Sequence, residues 1–209
     1  TFNVLESIKR FRPDAVFVSS AAVYGDEGGN YLMNELHPLM PKSPYAASKA
    51  AADRWVHAYT QTHKLRCKII RPFNIYGPRQ KSRGGGSVIP IFFRQAMLDD
   101  DITVFGSGKQ QRDYTYIDDL VNAYITVIEC DDLVGKEVNI GTGVGTPIND
   151  IAHSVASITG TGRVVHKNER AGEVSQFLCD ASLIRSYGWE PRVSIEDGLN
   201  LYHRWLAME

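Results

Sequence analysis

The chain has 209 residues, enough for one or two domains with a sizeable core. Its 43% hydrophobic and 22% charged residues exclude an intrinsically disordered chain, and no apolar run approaches the length of about 20 residues that a membrane-spanning helix needs. Its 23 basic and 24 acidic residues give a net charge of −1, which favours neither a nucleic-acid partner nor a membrane partner. We therefore expect a soluble protein that holds any anionic ligand locally.

The cysteines and histidines show no framework for disulfides or metals. Cys67, Cys130 and Cys179 are far apart and form no CxxC pair, and the six histidines show no metal-ligand spacing. We therefore expect a reducing compartment, the cytoplasm, and no structural metal.

The first half of the chain alternates helix and strand. Residues 3–10 have the pattern of an amphipathic helix, and residues 15–19 are a short apolar run typical of a strand buried on both faces. A helix from residue 45 to about 62 and a buried strand at 67–70 follow. This alternation predicts an α/β fold with a parallel sheet.

Beyond Gly77, proline and glycine become more frequent. The periodicity there predicts helices at 88–98, 118–129, 148–158 and 195–206, with Pro147 at a helix start, and a strand at 137–140. The sequence contains no internal repeat and no low-complexity linker.

Tyr45 and Lys49 lie four residues apart, and therefore on one face of the predicted helix. The usual tyrosine pKa of about 10 is too high for a base at neutral pH, and a nearby ammonium group would lower it. Ser20 follows a predicted strand, at the end where open α/β sheets bind ligands. These three residues predict a proton-transfer site, although Tyr45 and Lys49 taken alone could be an ordinary exposed pair.

Four motifs occur in order along the chain: SSAAVYG, SPYAASK, RPFNIYGPRQ and GSGKQQRDYTYIDD. Their order and spacing resemble those of the extended short-chain dehydrogenase/reductase family, in its nucleotide-sugar epimerase and dehydratase branch. The resemblance runs over essentially the whole chain. It implies the C-terminal part of a Rossmann-type parallel sheet, from residues 1–80 and about 118–140, and a smaller mixed α/β substrate domain, from about 81–117 and 141–209.

The resemblance also implies NAD as the cofactor and a catalytic triad of Ser20, Tyr45 and Lys49. Tyr45 would be the base, Lys49 would tune it and bind the nicotinamide ribose, and Ser20 would share the proton with the sugar hydroxyl. Pro72 and Phe73 match the segment that lies against the nicotinamide.

One part of the family's pattern is absent from the sequence. Family members begin with a strand, a GxxGxxG phosphate loop and an acid for the adenosine ribose. Residues 141–146 (GTGVGT) do not replace this loop, because Thr146 stands where the dinucleotide motif needs its third glycine. We interpret the chain as a fragment and expect it, by itself, to bind NAD weakly or not at all and to be inactive.

Further residues match a nucleotide-sugar site by resemblance. Asn74, Arg112 and Arg170 match positions that hold the diphosphate, a role that suits the fork of donors on arginine. Glu173 matches the acid that accepts a hydrogen bond from the nucleotide ribose. For the two arginines, surface salt bridges are the alternative.

Four residues match the walls of that site. Ser87 and Val88 match a helix start whose backbone meets the nucleotide, and Phe105 is a candidate wall for the base, with core packing as the alternative. Phe177 matches the side chain beside the C2 substituent of the sugar, with the C-terminal core as its alternative. Three acids are interpreted as helix-start and packing residues, not catalytic ones: Asp113, Asp118 and Asp119.

Ala21 and Ala22 discriminate between reactions within the family. Sugar 4,6-dehydratases carry Asp-Glu at these positions, and the decarboxylases carry a glutamate, whereas alanine cannot move a proton. The alternative is a turn of small residues whose identity does not bear on the reaction. We therefore expect an NAD-dependent 4-epimerase for a UDP-hexose, a homodimer in its full-length form. A dehydratase or reductase of the same family and a non-catalytic remnant are the alternatives.

Overall fold

The computed structural model describes residues 1–25, 32–81, 87–169 and 176–208. The elements in chain order are α1 (Phe2–Phe11), β1 (Ala15–Val18), α2 (Pro44–His63), β2 (Cys67–Pro72), β3 (Asn74–Tyr76), α3 (Val88–Met97), β4 (Ile102–Phe105), β5 (Gln111–Tyr116), α4 (Ile117–Glu129), β6 (Glu137–Ile140), β7 (Gly145–Pro147), α5 (Ile148–Thr159), β8 (Val164–Lys167), β9 (Gln176–Phe177), α6 (Ser182–Arg185) and α7 (Ile195–Leu206). A turn of 3-10 helix (Ala21–Tyr24) follows β1.

The first sheet is parallel and has the order β1-β2-β6. Its central strand β2 is buried along most of its length. Helices α1 and α2 pack on one face, around Leu5, Val56 and Ile69, and α4 packs on the other, where Leu120 meets Ile70. Helices on both faces of a parallel sheet form the three-layer α/β arrangement that the helix and strand pattern predicts.

A second sheet is centred on β5. This strand pairs in parallel with β3 and β9 and antiparallel with β7. Strands β4 and β8 form a separate parallel pair. Helices α3, α5 and α7 enclose a second core there, with Phe92, Phe93 and Tyr202 among its buried aromatic residues. The domain boundaries that the resemblance implies stay a prediction.

Most predicted elements lie within two residues of the observed ones, but the expectation that the first strand is buried on both faces is wrong. Residues 15–17 are half-buried and Val18 is 41% exposed. Within the described residues β1 pairs only with β2, so it lies at an edge of the sheet. Its apolar side chains line an open groove of about 290 Å³ beside α1.

Within the described ranges, no helix combines the length and the apolar character that crossing a membrane requires.

Candidate active site

The carboxyl ends of the three parallel strands of the first sheet lie at one edge. The backbone N–H of Ser19 donates to the carbonyl of Ile70 (2.8 Å), and the N–H of Phe73 donates to the carbonyl of Ile140 (2.9 Å). The segments that follow β1, β2 and β6 therefore start side by side. In open α/β sheets this edge is where ligands bind.

Ser20 begins the buried turn that leaves β1. Its Oγ accepts a hydrogen bond from the N–H of Ala22 (3.2 Å). Ala21 and Tyr24 are buried, so the turn packs inward. Gly25 ends the turn with φ 72°, and a Cβ there would lie 2.0 Å from the carbonyl oxygen of Met40, so this position requires glycine.

Tyr45 and Lys49 lie in the first two turns of α2. The helix begins after Ser43, whose side chain accepts from the N–H of Ala46 (3.1 Å). The Lys49 ammonium donates to the carbonyl of Val18 (3.0 Å), the last residue of β1. Tyr45 lies one turn earlier and is 57% exposed. The structure thus brings Lys49 to the strand end that precedes Ser20 and leaves the tyrosine ring open to a ligand.

Phe73 connects the two sheets. It is buried, and its ring lies 5.1 Å from the ring of Phe177 in β9 and 6.5 Å from that of Tyr24. Phe177 is half-buried and pairs in register with Arg112 of β5. The structure therefore brings together Phe73, Phe177 and Arg112, which the sequence resemblance assigns to cofactor and substrate.

The Asn74 side chain donates to the carbonyl of Asp113 (3.0 Å), next to Arg112. Pro72 is the last residue of β2. Ser87 and Val88 stand at the start of α3, and Phe105 is the half-buried last residue of β4. Arg170 and Glu173 lie outside the described residues.

Asp113 is a packing residue, as one part of the sequence expectation has it, but it is not a helix-start residue, which corrects the other part. It is buried within β5, and its carboxylate accepts four hydrogen bonds. Oδ1 accepts from the N–H (2.8 Å) and hydroxyl (2.6 Å) of Thr142, and Oδ2 accepts from the N–H groups of Gly143 (2.7 Å) and Cys179 (3.2 Å). Burial raises the pKa of this carboxyl, while these donors oppose the rise. Asp113 thus fixes the loop after β6 to the segment after β9.

This loop is the GTGVGT stretch at 141–146. The N–H groups of Thr142 and Gly143 point to Asp113, so they do not form a phosphate cradle. Of the two remaining acids, Asp118 is exposed in the first turn of α4 as expected, and Asp119 is buried and accepts from the N–H of Val193 (2.9 Å).

Sequence reasoning missed a buried network centred on Arg71, which is 1% exposed. Its Nε and Nη2 donate to the two carboxylate oxygens of Asp53 (2.9 Å each). Its Nη1 donates to the hydroxyl of Tyr24 (2.9 Å) and to the carbonyl of Glu35 (3.2 Å). An arginine directly after the apolar pair Ile69 and Ile70 in a predicted buried strand, and an aspartate one turn after Lys49, were the signals that could have revealed it.

Comparison with known proteins identifies the family. Residues 1–141 match the model of the NAD dependent epimerase/dehydratase family. A putative UDP-glucose 4-epimerase from Methanocaldococcus jannaschii is 32% identical over 99% of this chain and 67% of its own length. The chain belongs to the NAD dependent epimerase/dehydratase family. The resemblance inferred from the four motifs is therefore confirmed.

Solved structures of similar proteins confirm the Rossmann-type fold. UDP-glucose 4-epimerase from Thermotoga maritima, solved with UDP-glucose, is 30% identical with a TM-score of 0.93, over 99% of this chain and 68% of that one. dTDP-glucose 4,6-dehydratase from Bacillus anthracis, solved with NAD, is 27% identical with a TM-score of 0.91. The match covers 100% of this chain and 66% of the dehydratase chain. Family membership therefore does not choose between epimerisation and dehydration.

The chain spans between 48% and 67% of the length of the curated relatives it matches. Within the part that the structure describes, no three His, Cys, Asp or Glu side chains cluster in a way that could hold a metal ion.

Replacing Asp113 by alanine tests its role in fixing the loop. The change leaves the partly buried N–H groups of Thr142 and Gly143 and the buried N–H of Cys179 without their acceptor. Each buried unsatisfied donor costs about 1–3 kcal/mol, so we expect the free energy of unfolding in urea to fall by roughly 3 kcal/mol or more. Asp118→Ala, at an exposed helix start, is the control and should cost about 1 kcal/mol or less. Equal losses in the two variants would contradict this role.

Proposed function

We propose that the protein carrying this chain is an NAD-dependent nucleotide-sugar 4-epimerase that acts on a UDP-hexose by transient oxidation at C4. The observation that carries the proposal is the arrangement at the end of β1. There Lys49 binds the carbonyl of Val18, Tyr45 is exposed one turn away, and Ser20 opens the adjoining turn.

The residues at this edge suit NAD. The Tyr45 hydroxyl and the Lys49 ammonium can donate to ribose hydroxyls, and Pro72 and Phe73 offer an apolar surface for a nicotinamide ring. When bound, NAD would supply the acceptor for the C4 hydride and would return it to the opposite face of the 4-keto sugar after the sugar has rotated. These four residues are the ones that we propose hold the nicotinamide half.

Tyr45 would take the proton from the O4 hydroxyl as C4 is oxidised, and would return it as C4 is reduced. Lys49, one turn further along α2, would hold the nicotinamide ribose beside Tyr45. Ser20 would hydrogen-bond to O4 of the sugar. Because the proton that leaves O4 also returns there, the reaction needs no second acid or base.

The return of the proton to O4, with no second acid or base, supports an epimerase over a dehydratase. Removal of water from C5 and C6 requires two further proton-transfer groups. In this chain the turn after Ser20 carries Ala21, which is buried, and Ala22, which is half-buried. A methyl side chain cannot transfer a proton. Because Ala21 is buried, a charged side chain in its place would also cost free energy through the loss of its hydration.

The substrate half of the site is proposed from the family positions. Arg112, Arg170 and Asn74 would hold the diphosphate, where arginine can donate two parallel hydrogen bonds. The remaining contacts would come from Ser87 and Val88 to the nucleotide, Glu173 to its ribose, Phe105 to the base and Phe177 to the sugar. The fact that the Thermotoga relative was solved with UDP-glucose supports a UDP-hexose.

Tyr45→Phe in the protein that carries this chain tests the mechanism. We expect kcat for interconversion of UDP-glucose and UDP-galactose to fall by about 10² to 10⁴-fold, because the general base is lost. Lys49→Ala should also lower kcat, because the ammonium group that would bind the nicotinamide ribose beside Tyr45 is lost. Ser20→Ala should lower kcat by less than Tyr45→Phe does, because the general base remains.

Tyr59→Phe, on the same helix, is the matched control and should keep kcat. Near wild-type turnover in Tyr45→Phe would reject the mechanism. A 4-keto-6-deoxy sugar product would identify a dehydratase, and NAD binding without turnover in the wild type would identify a non-catalytic protein.

The bulk of the Phe177 side chain predicts a preference for sugars without an N-acetyl group at C2. An acetamido group at C2 would press against its ring, which already packs at 5.1 Å from Phe73. We expect kcat/KM for UDP-glucose to exceed that for UDP-N-acetylglucosamine by about 10 to 200-fold. Phe177→Ser should reduce this ratio and Phe177→Leu should change it less. Equal efficiencies in the wild type, or no gain for the N-acetyl sugar in Phe177→Ser, would reject the role.

We also propose that two copies associate through the outer face of α1 and α2. Phe2 and Trp55 are 51% and 46% exposed, with their rings in edge contact at 5.6 Å, and Trp55 stacks on Tyr59 at 6.0 Å. Aromatic side chains contribute strongly to interfaces, so this group of aromatic side chains supports the homodimer that the family resemblance suggests.

The cytoplasmic location also stays a proposal, drawn from the cysteine pattern.

Trp55→Asp tests the homodimer. In a two-fold interface the substitution occurs twice, so one change places two charges in the apolar contact. We expect a dimer by sedimentation velocity for the wild-type protein and a monomer for the variant. Val121→Asp, on the exposed face of α4, should remain dimeric. A monomeric wild type, or a dimeric Trp55→Asp variant, would contradict this interface.

A further inference from the structure

We propose that the buried Arg71 guanidinium, together with Asp53 and Tyr24, positions the catalytic residues. This inference rests on the proposed function. None of the three side chains reaches solvent, so none is a candidate for contact with a substrate. Each belongs to a different segment that carries a proposed catalytic or cofactor-binding residue.

The three segments meet at Arg71. This residue immediately precedes Pro72 and Phe73 at the end of β2. Asp53 lies on α2 one turn after Lys49, and Tyr24 ends the turn that Ser20 begins. The guanidinium contacts Asp53 through two parallel hydrogen bonds and Tyr24 through a third. A planar bidentate pair fixes orientation as well as distance.

Tyr24 extends the contact to the third strand end. Its hydroxyl accepts from Arg71 and donates to the side-chain oxygen of Asn139 (2.6 Å) in β6. Asn139 in turn donates from its backbone N–H to the Glu35 carboxylate (2.8 Å) and from its side chain to the carbonyl of Met33 (2.9 Å). The network therefore spans β2, α2, the turn after β1, and β6.

The charges around Asp53 are paired. Arg54 donates to both Asp53 and Glu137 (2.5 Å each), and Glu137 also contacts His57 (2.9 Å). Burial would raise the pKa of the Asp53 carboxyl, but the hydrogen bonds and charge of Arg71 lower it below its ordinary value. Asp53 therefore remains a carboxylate that can hold the guanidinium.

Stability alone does not account for this placement. Replacing a buried ion pair by apolar side chains is often neutral or even stabilising, because taking two charges out of water costs as much as their attraction returns. The pair provides instead a fixed geometry between α2 and β2. Misplacement of a reacting group by about 1 Å can cost about 10²-fold in rate, so such a fixed geometry matters for catalysis.

Tyr24→Phe is the sharpest test, because it removes one oxygen atom and keeps the ring. In the protein that carries this chain we expect kcat to fall by about 10 to 100-fold, with KM for the sugar nucleotide changed by less than about 3-fold. Tyr76→Phe is the matched control. Tyr76 is equally buried, and its hydroxyl donates to the carbonyl of Ile195 (3.4 Å) in the second core. Tyr24→Phe should lose more stability than Tyr76→Phe, because the Tyr24 hydroxyl makes two hydrogen bonds (2.9 and 2.6 Å) and the Tyr76 hydroxyl makes one (3.4 Å). The comparison of kcat is therefore made where both variants are fully folded, and there Tyr76→Phe should keep kcat.

A second readout does not depend on turnover. Backbone hydrogen exchange at residues 45–49 should become about tenfold faster in Tyr24→Phe, the change expected when about one net hydrogen bond no longer holds the segment. The same amides should be unaffected in Tyr76→Phe. Arg71→Lys, which keeps the charge and loses the paired hydrogen bonds, should have the same effect as Tyr24→Phe.

Unchanged exchange at 45–49 in Tyr24→Phe would overturn the inference, as would wild-type kcat in that variant or an equal loss of kcat in both tyrosine variants. A wild-type protein without turnover would contradict the proposed function alone, and the exchange measurement would still decide whether Arg71 positions α2.

Discussion

The ion pair between Arg71 and Asp53 is the constraint on which the first sheet and its helix depend. Both groups are almost completely removed from water, so neither can be left without the other. The pair fixes α2 to the central strand at the level where that strand ends. With Tyr24 and Asn139 it also holds the turn after β1 and the neighbouring strand β6. Buried polar contacts thus hold together the segments at the three strand ends of the candidate active site.

Asp113 has a comparable role in the second sheet. Its carboxylate gathers backbone N–H groups from the loop after β6 and the segment after β9, next to the strand that carries Arg112. Phe73 then links the two regions, through ring contacts to Tyr24 and to Phe177. Buried polar groups therefore organise each half of the site, and an aromatic contact joins the halves.

This architecture explains how one family supports several reactions. Matched relatives include epimerases and dehydratases with closely similar folds. The scaffold fixes strand ends and the helix of Tyr45 and Lys49, while the turn after Ser20 is where, by the family resemblance, we expect the side chains to differ between reactions. In this chain that turn presents Ala21 and Ala22, which is why epimerisation is the proposal.

The sequence by itself determined the six longer helices and the three strands of the first sheet, because their apolar periodicities are local, and it determined that Tyr45 and Lys49 share a helix face. It did not predict the strands of the second sheet or the β4 and β8 pair. The motifs also determined the family. Only the tertiary structure decided that β1 is half-buried, since burial depends on what packs against a strand, and that Asp113 lies in a strand as an acceptor for a distant loop. It also decided the Arg71 network. Arg71 and Asp53 are 18 residues apart and Tyr24 and Asn139 are 115 apart, so no local pattern encodes their contacts, and only the packing of separate segments creates them.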